Sequence, residues 1–308
     1  MRFGFELGLP MDNGLLSGLT AEARAAETAG FDLLWIDAGA RGLPAHTSLA
    51  LAAALAPHVD AIAVAAVVDL GDHHPIYVAE EVAVADQLLN GRLITCVRPA
   101  SGHEERFTEA VDVLLAGLAP RSFRHQGTTW QVPANLPANR FNIETRLRVT
   151  PTTAQIEPAV WVTGRSARSV AASHGLSYVA ASARDGAEAW PELGASLGRR
   201  ALRLRRPVLW PVAVAADGGL DVHGLADALA HAQGQWGLDT AVLTLADGLD
   251  EDGRREVMWR VAHDVRPRVQ LDRLPHGLVE YWDSRMAERL AASTRSTPST
   301  PTRGGDDG

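Results

Sequence analysis

The feature that most limits how this chain can fold is an alternation, begun at residue 2, of apolar runs of strand length with stretches of helix length. RFGFEL (residues 2–7) precedes LTAEARAAETAG (19–30), closed by Gly30, and DLLWID (32–37) precedes TSLALAAALA (47–56). AIAVAAVVDL (61–70) precedes PIYVAEEVAVADQLL (75–89), with Pro75 at the favoured first helical position, and LITCV (93–97) precedes EERFTEAVDVLLAGL (104–118). A proline-bearing excursion over 120–158 interrupts the cycle. AVWVT (159–163), LSYVAA (176–181), RPVLWPVAVA (206–215) and TAVLTLA (240–246) then resume it, the last two each followed by a helix. Eight such units predict an α/β fold, a (β/α)8 TIM barrel with the excursion between strands 4 and 5. No G-x-G-x-x-G opens a helix, as an open dinucleotide-binding sheet would have it.

A barrel gives function an address, because loops that follow the strands form the catalytic face and loops that precede them the stabilising face. VWVTGRSARSVAASHG (160–175) falls on the first: a strand, a Gly, a hydroxyl-rich turn with a Ser at the expected N-cap, and a short helix ended by Gly175. Outward backbone N–H groups with the Arg165 charge suit a phosphate or carboxylate, although an ordinary strand-to-helix loop has the same outline. The basic run GRRALRLRRP (198–207) precedes the seventh strand, so it is expected at the opposite face as a solvated helix surface. Residues 1–290 form one expected barrel domain. The remainder, 291–308, is rich in Ser, Thr, Pro and Gly without an apolar stripe, and is expected to be a disordered tail.

The chemistry open to the chain narrows further on charge and cysteine content. A net charge of −8 argues against a general nucleic-acid or acidic-membrane binder, which leaves a small-molecule substrate. No apolar run is long enough to span a bilayer and the first residues lack a signal-peptide core, so a cytoplasmic location is expected. Cys96 is the single cysteine, expected as a buried inert thiol in the fourth strand. His73 and His74 lack a third spaced ligand, and no metal is expected.

AETAGFDLLWID (26–37), HHPIYVAEEVAVADQLLNGRL (73–93), FRHQGTTWQVP (123–133), VWVTGRSARSVAASHG and WGLDTAVLTLADG (236–248), in this order and spacing, resemble the bacterial luciferase-like monooxygenase family over residues 2–271. The resemblance implies a flavin-dependent oxidoreductase in which reduced FMN, supplied by a separate flavin reductase, and oxygen oxidise a small organic substrate. It leaves open the deazaflavin F420 with hydride transfer, or a non-catalytic flavin-binding barrel. It also implies a homodimer. In the family the loop after the fifth strand holds the cofactor phosphate, which maps onto Gly164, Arg165, Ser166 and Ser169. A basic residue after the fourth strand often assists, and Arg98 stands there, where pairing with Glu104 or Glu105 is the alternative.

This chain departs from the family pattern after the second strand, where Asp37 is followed by Ala38, Gly39 and Ala40 rather than by His. Expected proton-transfer groups are therefore Asp37, Asp69 at the end of the third strand, and His46 from the same loop as Asp37. Asp69 also reads as a solvated strand terminus, and His46 as a solvated residue before a helix. In the family the third strand end borders the flavin and often carries a bulge with a non-prolyl cis peptide. After the fourth strand only Gly102 remains of a usually glycine-rich loop, and His103 beside Glu104 is read as a helix-entry residue. The excursion is a possible lid, in which Trp130 and Phe141 either cover an apolar ligand or pack on the barrel wall.

Overall fold

Side chains along the barrel strands divide between two cores. Leu34 and Ile36, Val64, Ala66 and Val68, and Val160 and Val162 turn outward into the layer shared with the helices. Leu33 and Trp35, Ala65 and Val67, Ile94 and Cys96, and Trp161 turn inward and fill the barrel. Burial on both faces is why these strands read as continuous apolar runs rather than as alternating ones.

The computed structural model describes residues 1–9, 14–44, 46–71, 73–134, 146–215, 219–245 and 248–271. Phe141 and the expected tail at 291–308 lie outside the described residues. The first half runs β1 (Arg2–Glu6), α1 (Leu15–Thr28), β2 (Leu33–Ile36), α2 (Thr47–Leu55), β3 (Ala63–Leu70), α3 (Pro75–Leu88), β4 (Leu93–Pro99) and α4 (Glu104–Leu118). Two short strands, β5 (His125–Gln126) and β6 (Gln131–Val132), form an antiparallel hairpin inside the excursion. The second half runs β7 (Ala159–Thr163), α5 (Arg168–His174), β8 (Ser177–Val179), α6 (Ala183–Leu197), β9 (Pro207–Val212), α7 (Val222–Trp236), β10 (Thr240–Leu245), α8 (Glu251–Arg260) and α9 (Arg266–Leu271).

The eight long strands are all parallel, in the order β8-β7-β4-β3-β2-β1-β10-β9. A bridge between Ala180 and Val208 joins the two ends, with Ala180 N–H donating to the Pro207 carbonyl and Leu209 N–H to the Ala180 carbonyl, each at 2.9 Å. The expected TIM barrel is the observed architecture. Around this ring β1 stands diametrically across from β7, a relation that organises the mouth described below.

Three elements differ from the sequence expectation. The helix α1 begins at Leu15, ahead of residue 19. The basic run is a 3-10 segment, Gly198–Arg203, rather than part of a helix, and it does precede β9. The helix that follows β8, α6, was not anticipated because Gly186, Pro191 and Gly194 lie within it and each lowers helix propensity. Packing overrides that bias: Gly186, Ala189, Trp190 and Leu193 are buried along one face of the helix, and within that face the Trp190 ring covers Gly186 one turn earlier, where a Cβ would stand 2.7 Å from it.

The excursion is tied to the barrel at both ends. Asp86, buried on α3, accepts from the Gln155 backbone N–H at 3.0 Å and from its side-chain amide at 2.7 Å, just before β7. At the other end Glu109 of α4 accepts from the backbone N–H groups of Thr129 and Trp130, the Thr128 hydroxyl and the His125 ring. Trp130 is thereby buried, its ring edge-on to His74 at 6.4 Å, so it packs on the barrel wall. Burial by itself pushes the Glu109 carboxyl up, but the donors from Trp130, Thr128, His125 and Thr129 outweigh it and hold it at about 2 against an ordinary 4.5.

A carboxylate depressed in this way stabilises the fold fully above about pH 4.5 and ceases to do so as the pH falls through about 2. Glu109→Gln should therefore lower the unfolding free energy at pH 7 by about 1–3 kcal/mol, the worth of hydrogen bonds to a charged group. The gap to the parent should narrow steadily in urea titrations taken between pH 4.5 and pH 3. A gap that is the same at every pH would show that the charge of Glu109 contributes nothing.

Candidate functional site

Three neighbouring strand ends build the centre of the barrel mouth. The strict alternation places Asp37 one step above the inward Trp35, Asp69 above Val67, and Arg98 above Cys96. The register of β3 on β4 sets Asp69 directly beside Arg98. Arg98 Nε donates to Asp69 Oδ1, and Arg98 Nη1 donates to Asp37 Oδ2 at 2.6 Å. Asp37 is 9% exposed, and its other oxygen accepts the Ala40 backbone N–H at 3.0 Å, which fixes the turn after β2.

Burial draws the Arg98 guanidinium down, yet the charges and hydrogen bonds of Asp37 and Asp69 outweigh it and hold it above its usual value. The partners of Arg98 are therefore the two aspartates and not Glu104 or Glu105; Glu105 lies 3.5 Å from Arg106 instead. Beneath them Cys96 is fully buried, its thiol pushed well up by burial and further by Asp37, with Arg98 opposing. That is the inert thiol the sequence suggested.

No bulge interrupts the end of β3, which pairs in register with β4 as far as Leu70 beside Pro99. Among the described residues the cis peptides precede Pro133 and Pro151, away from this strand end. Gly71 follows with φ +127°, and a Cβ there would lie 2.9 Å from that of His103. The loops after β3 and β4 touch at this point, which only glycine allows.

Gly164, Arg165, Ser166 and Ser169 lie together at the end of β7. Gly164 has φ +95°, and the turn continues as a 3-10 segment, Arg165–Ala167, leading into α5. No serine caps either segment; the cap positions are Gly164 and Ala167, and neither takes a side-chain hydrogen bond. Arg165 is 79% exposed, with one ion-pair contact among the described residues, to Glu188 at 3.5 Å, and Ser169 Oγ donates to the Ser166 carbonyl at 3.4 Å. Arg168, by contrast, is committed to Asp185, which also accepts from the Tyr178 hydroxyl.

His46 stands apart from this centre. Its ring lies edge-on to His73 at 5.4 Å and borders a groove of about 350 Å³ between α2 and α3, with Leu49, Ala53, Glu80 and Val84. His74 caps α3, its Nδ1 accepting the Ile76 N–H at 3.2 Å, and burial lowers its basicity. Among the described residues no three His, Cys, Asp or Glu side chains stand close enough to hold a metal ion.

Sequence reasoning overlooked the other half of the mouth. An open cleft of about 600 Å³ lies over the ends of β1, β10 and β9 and the turn after β2, lined by Glu6, Arg41, Pro211, Ala213, Thr244 and Leu245 among others. Glu6, Thr244 and Pro211 occupy inward positions of adjacent strands, paired in register as Thr244 beside Pro211. A signal was present: in RFGFEL the outward Phe3, Phe5 and Leu7 are apolar, so a charged Glu6 at an inward position marks the mouth.

A phosphate-bearing planar cofactor fits these residues. A glycine-started turn with no side-chain cap and an exposed Arg165 is suited to the phosphate, and the cleft across the mouth has the volume and mixed lining of a small-molecule site.

Similar proteins share this architecture. No curated protein matches the chain in sequence. Among solved structures, monooxygenase RslO1 from Streptomyces bottropensis superposes with TM-score 0.66 at 15% identity, covering 87% of this chain and 99% of that one. The oxygenating constituent of 3,6-diketocamphane monooxygenase from Pseudomonas putida, a type II Baeyer-Villiger enzyme in complex with FMN, gives 0.64 at 14% identity, covering 87% and 98%. The coenzyme F420-dependent tetrahydromethanopterin reductase from Methanopyrus kandleri gives 0.58 at 14% identity, covering 87% and 99%. The sequence profile of the luciferase-like monooxygenases matches residues 6–255, most of the chain. With the barrel, its order of strands and the mouth described above, that match means the chain belongs to the luciferase-like monooxygenase family.

Proposed function

We propose that this protein is an oxidoreductase that uses reduced FMN and oxygen to oxidise a small organic substrate. The observation that carries the reading is the division of the mouth into three sectors: an anion-suited turn on β7, a charged centre on β2, β3 and β4, and an open cleft over β1, β10 and β9, of which β1 stands across the ring from β7. FMN supplies the electrons for oxygen activation when it is bound. Gly164, Arg165, Ser166 and Ser169 hold its phosphate. Because Arg98 is engaged by two carboxylates, its charge belongs in this reading to the aspartates, and Arg165 carries the phosphate without it. The apolar plug of Trp35, Trp161 and Val67 closes the barrel below and keeps water from entering the site from that side.

Asp37 and Asp69 are the proton-transfer candidates of this reading, Asp37 by its place at the exit of β2 and Asp69 by the carboxylate oxygen that Arg98 leaves open at the centre of the mouth. The substrate lies in the cleft, whose apolar Pro211, Ala213 and Leu245 exclude water while Glu6 and Thr244 offer polar contacts.

Binding of anaerobically reduced FMN and of reduced F420 to the purified protein tests the cofactor. Arg165→Ala should weaken the preferred one by about tenfold or more, the worth of a charge-assisted contact to phosphate. Tight binding of reduced F420 with none of FMN would replace oxygen chemistry by hydride transfer, and unchanged affinity in Arg165→Ala would remove the phosphate from this turn.

Turnover with a surrogate substrate should fall at least tenfold in Asp37→Asn and in Asp69→Asn, with cofactor binding checked in each, and stay at the parent level in His46→Ala. Loss of turnover in His46→Ala alone would pass the proton-transfer role to that residue. A parent that binds reduced cofactor but turns nothing over would make this a binding protein.

The protein pairs, in this proposal, as a homodimer through the outer face of α2 and α3. The helix α2 carries no charged residue, and α3 leaves Tyr77, Val84 and Leu88 exposed around Glu80 and Glu81, apolar side chains with a polar pair among them that suit burial against another surface. Val84→Glu with Leu88→Glu should convert a dimer to a monomer in sedimentation at micromolar concentration. A parent that sediments as a monomer overturns it.

A further inference from the structure

We propose that Arg98 and Asp69 form a donor–acceptor edge that reads the imide edge, –CO–NH–CO–, of the cofactor's pyrimidine ring. The inference rests on the cofactor reading above and extends it to the residues that recognise the ring.

The atoms of the charged centre divide into committed and uncommitted ones. Of the three guanidinium nitrogens of Arg98, Nε is engaged by Asp69 Oδ1 and Nη1 by Asp37 Oδ2. Nη2, the third nitrogen, donates to no group among the described residues. Both oxygens of Asp37 are occupied, by Arg98 and by the Ala40 N–H. Asp69 differs, because only its Oδ1 is engaged and Oδ2 accepts nothing among the described residues. Two polar groups with unused capacity therefore stand beside each other, one purely donating and one purely accepting.

Their exposure gives the direction they serve. Arg98 is 26% exposed and Asp69 28%. Both occupy inward positions of their strands, above Cys96 and Val67, and the barrel beneath is filled by Trp35, Trp161 and their neighbours. The exposed part of each can only open upward into the mouth. A guanidinium locked by two carboxylates is also held in one rotamer, so its free N–H groups are pre-aimed at little entropic cost on binding.

A ligand that satisfies both must present an acceptor and a donor side by side in one plane. An imide does so: a ring carbonyl accepts from Arg98 Nη2, and the ring N–H donates to Asp69 Oδ2. A ligand without the N–H leaves Asp69 Oδ2 desolvated and unpaired, which costs more than the lost bond. Flavin and deazaflavin share this edge, so the pair recognises the ring system and not the phosphate.

The test begins with the parent protein. Dissociation constants of anaerobically reduced FMN and reduced 3-methyl-FMN, whose ring N–H is replaced by N–CH3, are measured on the full-length protein by quenching of tryptophan fluorescence. The expected result is at least about a tenfold weaker constant for 3-methyl-FMN, as follows from losing a hydrogen bond to a charged group. In Asp69→Ala the two flavins should bind within about twofold of each other, while in Arg165→Ala, which acts at the phosphate, the tenfold preference should persist. Equal binding of the two flavins to the parent overturns the imide assignment and leaves the cofactor reading standing. Binding of neither, with no binding of reduced F420, overturns the cofactor reading and the imide assignment with it.

Discussion

The guanidinium of Arg98, held between Asp37 and Asp69, is the interaction on which the mouth of this barrel depends. It joins the ends of β2, β3 and β4, and through the Ala40 N–H it reaches the turn that forms one wall of the open cleft. A nearly buried aspartate would be costly on its own, and a cation beside it removes most of that cost. Two carboxylates around one cation also set the orientation of every polar atom at the centre, which is what a site for a planar ligand requires. The family's usual histidine after the second strand is missing here, and the same region is organised by charge instead.

That centre is stable because the barrel beneath it is closed and filled with apolar side chains. Inward side chains from six strands meet in one apolar cluster, while the opposite face of each strand packs on the helices. Inserted segments are then attached to this frame by carboxylates, one buried and one half-buried. Asp86 holds the entry to β7 and Glu109 holds the hairpin with Trp130, each accepting two or more N–H donors. Such polar clamps select a single docking geometry, since a displaced segment would leave the carboxylate unsatisfied in a poorly solvated place.

Asp37 and Asp69 were legible as strand-end residues on the catalytic face, because a strand's exit is marked by the change from apolar to polar residues. The partners of Arg98 were not legible, since Glu104 and Glu105 are near in sequence while Asp69 and Asp37 lie 29 and 61 residues away. The cleft wall was missed for a related reason: Glu6, Thr244 and Pro211 belong to strands at opposite ends of the chain that closure of the ring makes neighbours. Trp130 was undecided between lid and wall in the sequence, and the Glu109 clamp puts it on the wall. Local propensity misled at α6, where glycines and a proline masked a helix that packing of Trp190 sustains.

The sequence by itself determined the eight strands, most of the helices that follow them and the glycine-started turn after AVWVT, because these follow from periodicities of two and 3.6 residues and from local turn chemistry. Only the tertiary structure decided which strand ends meet, and with that the Arg98 bridge, the cleft over β1, β10 and β9 and the placing of His46 beside His73 at the groove between α2 and α3. The reason is that strand register and ring closure are set by how inward side chains such as Trp35 and Trp161 fill a shared interior. That is a property of many distant residues at once, which no local stretch encodes.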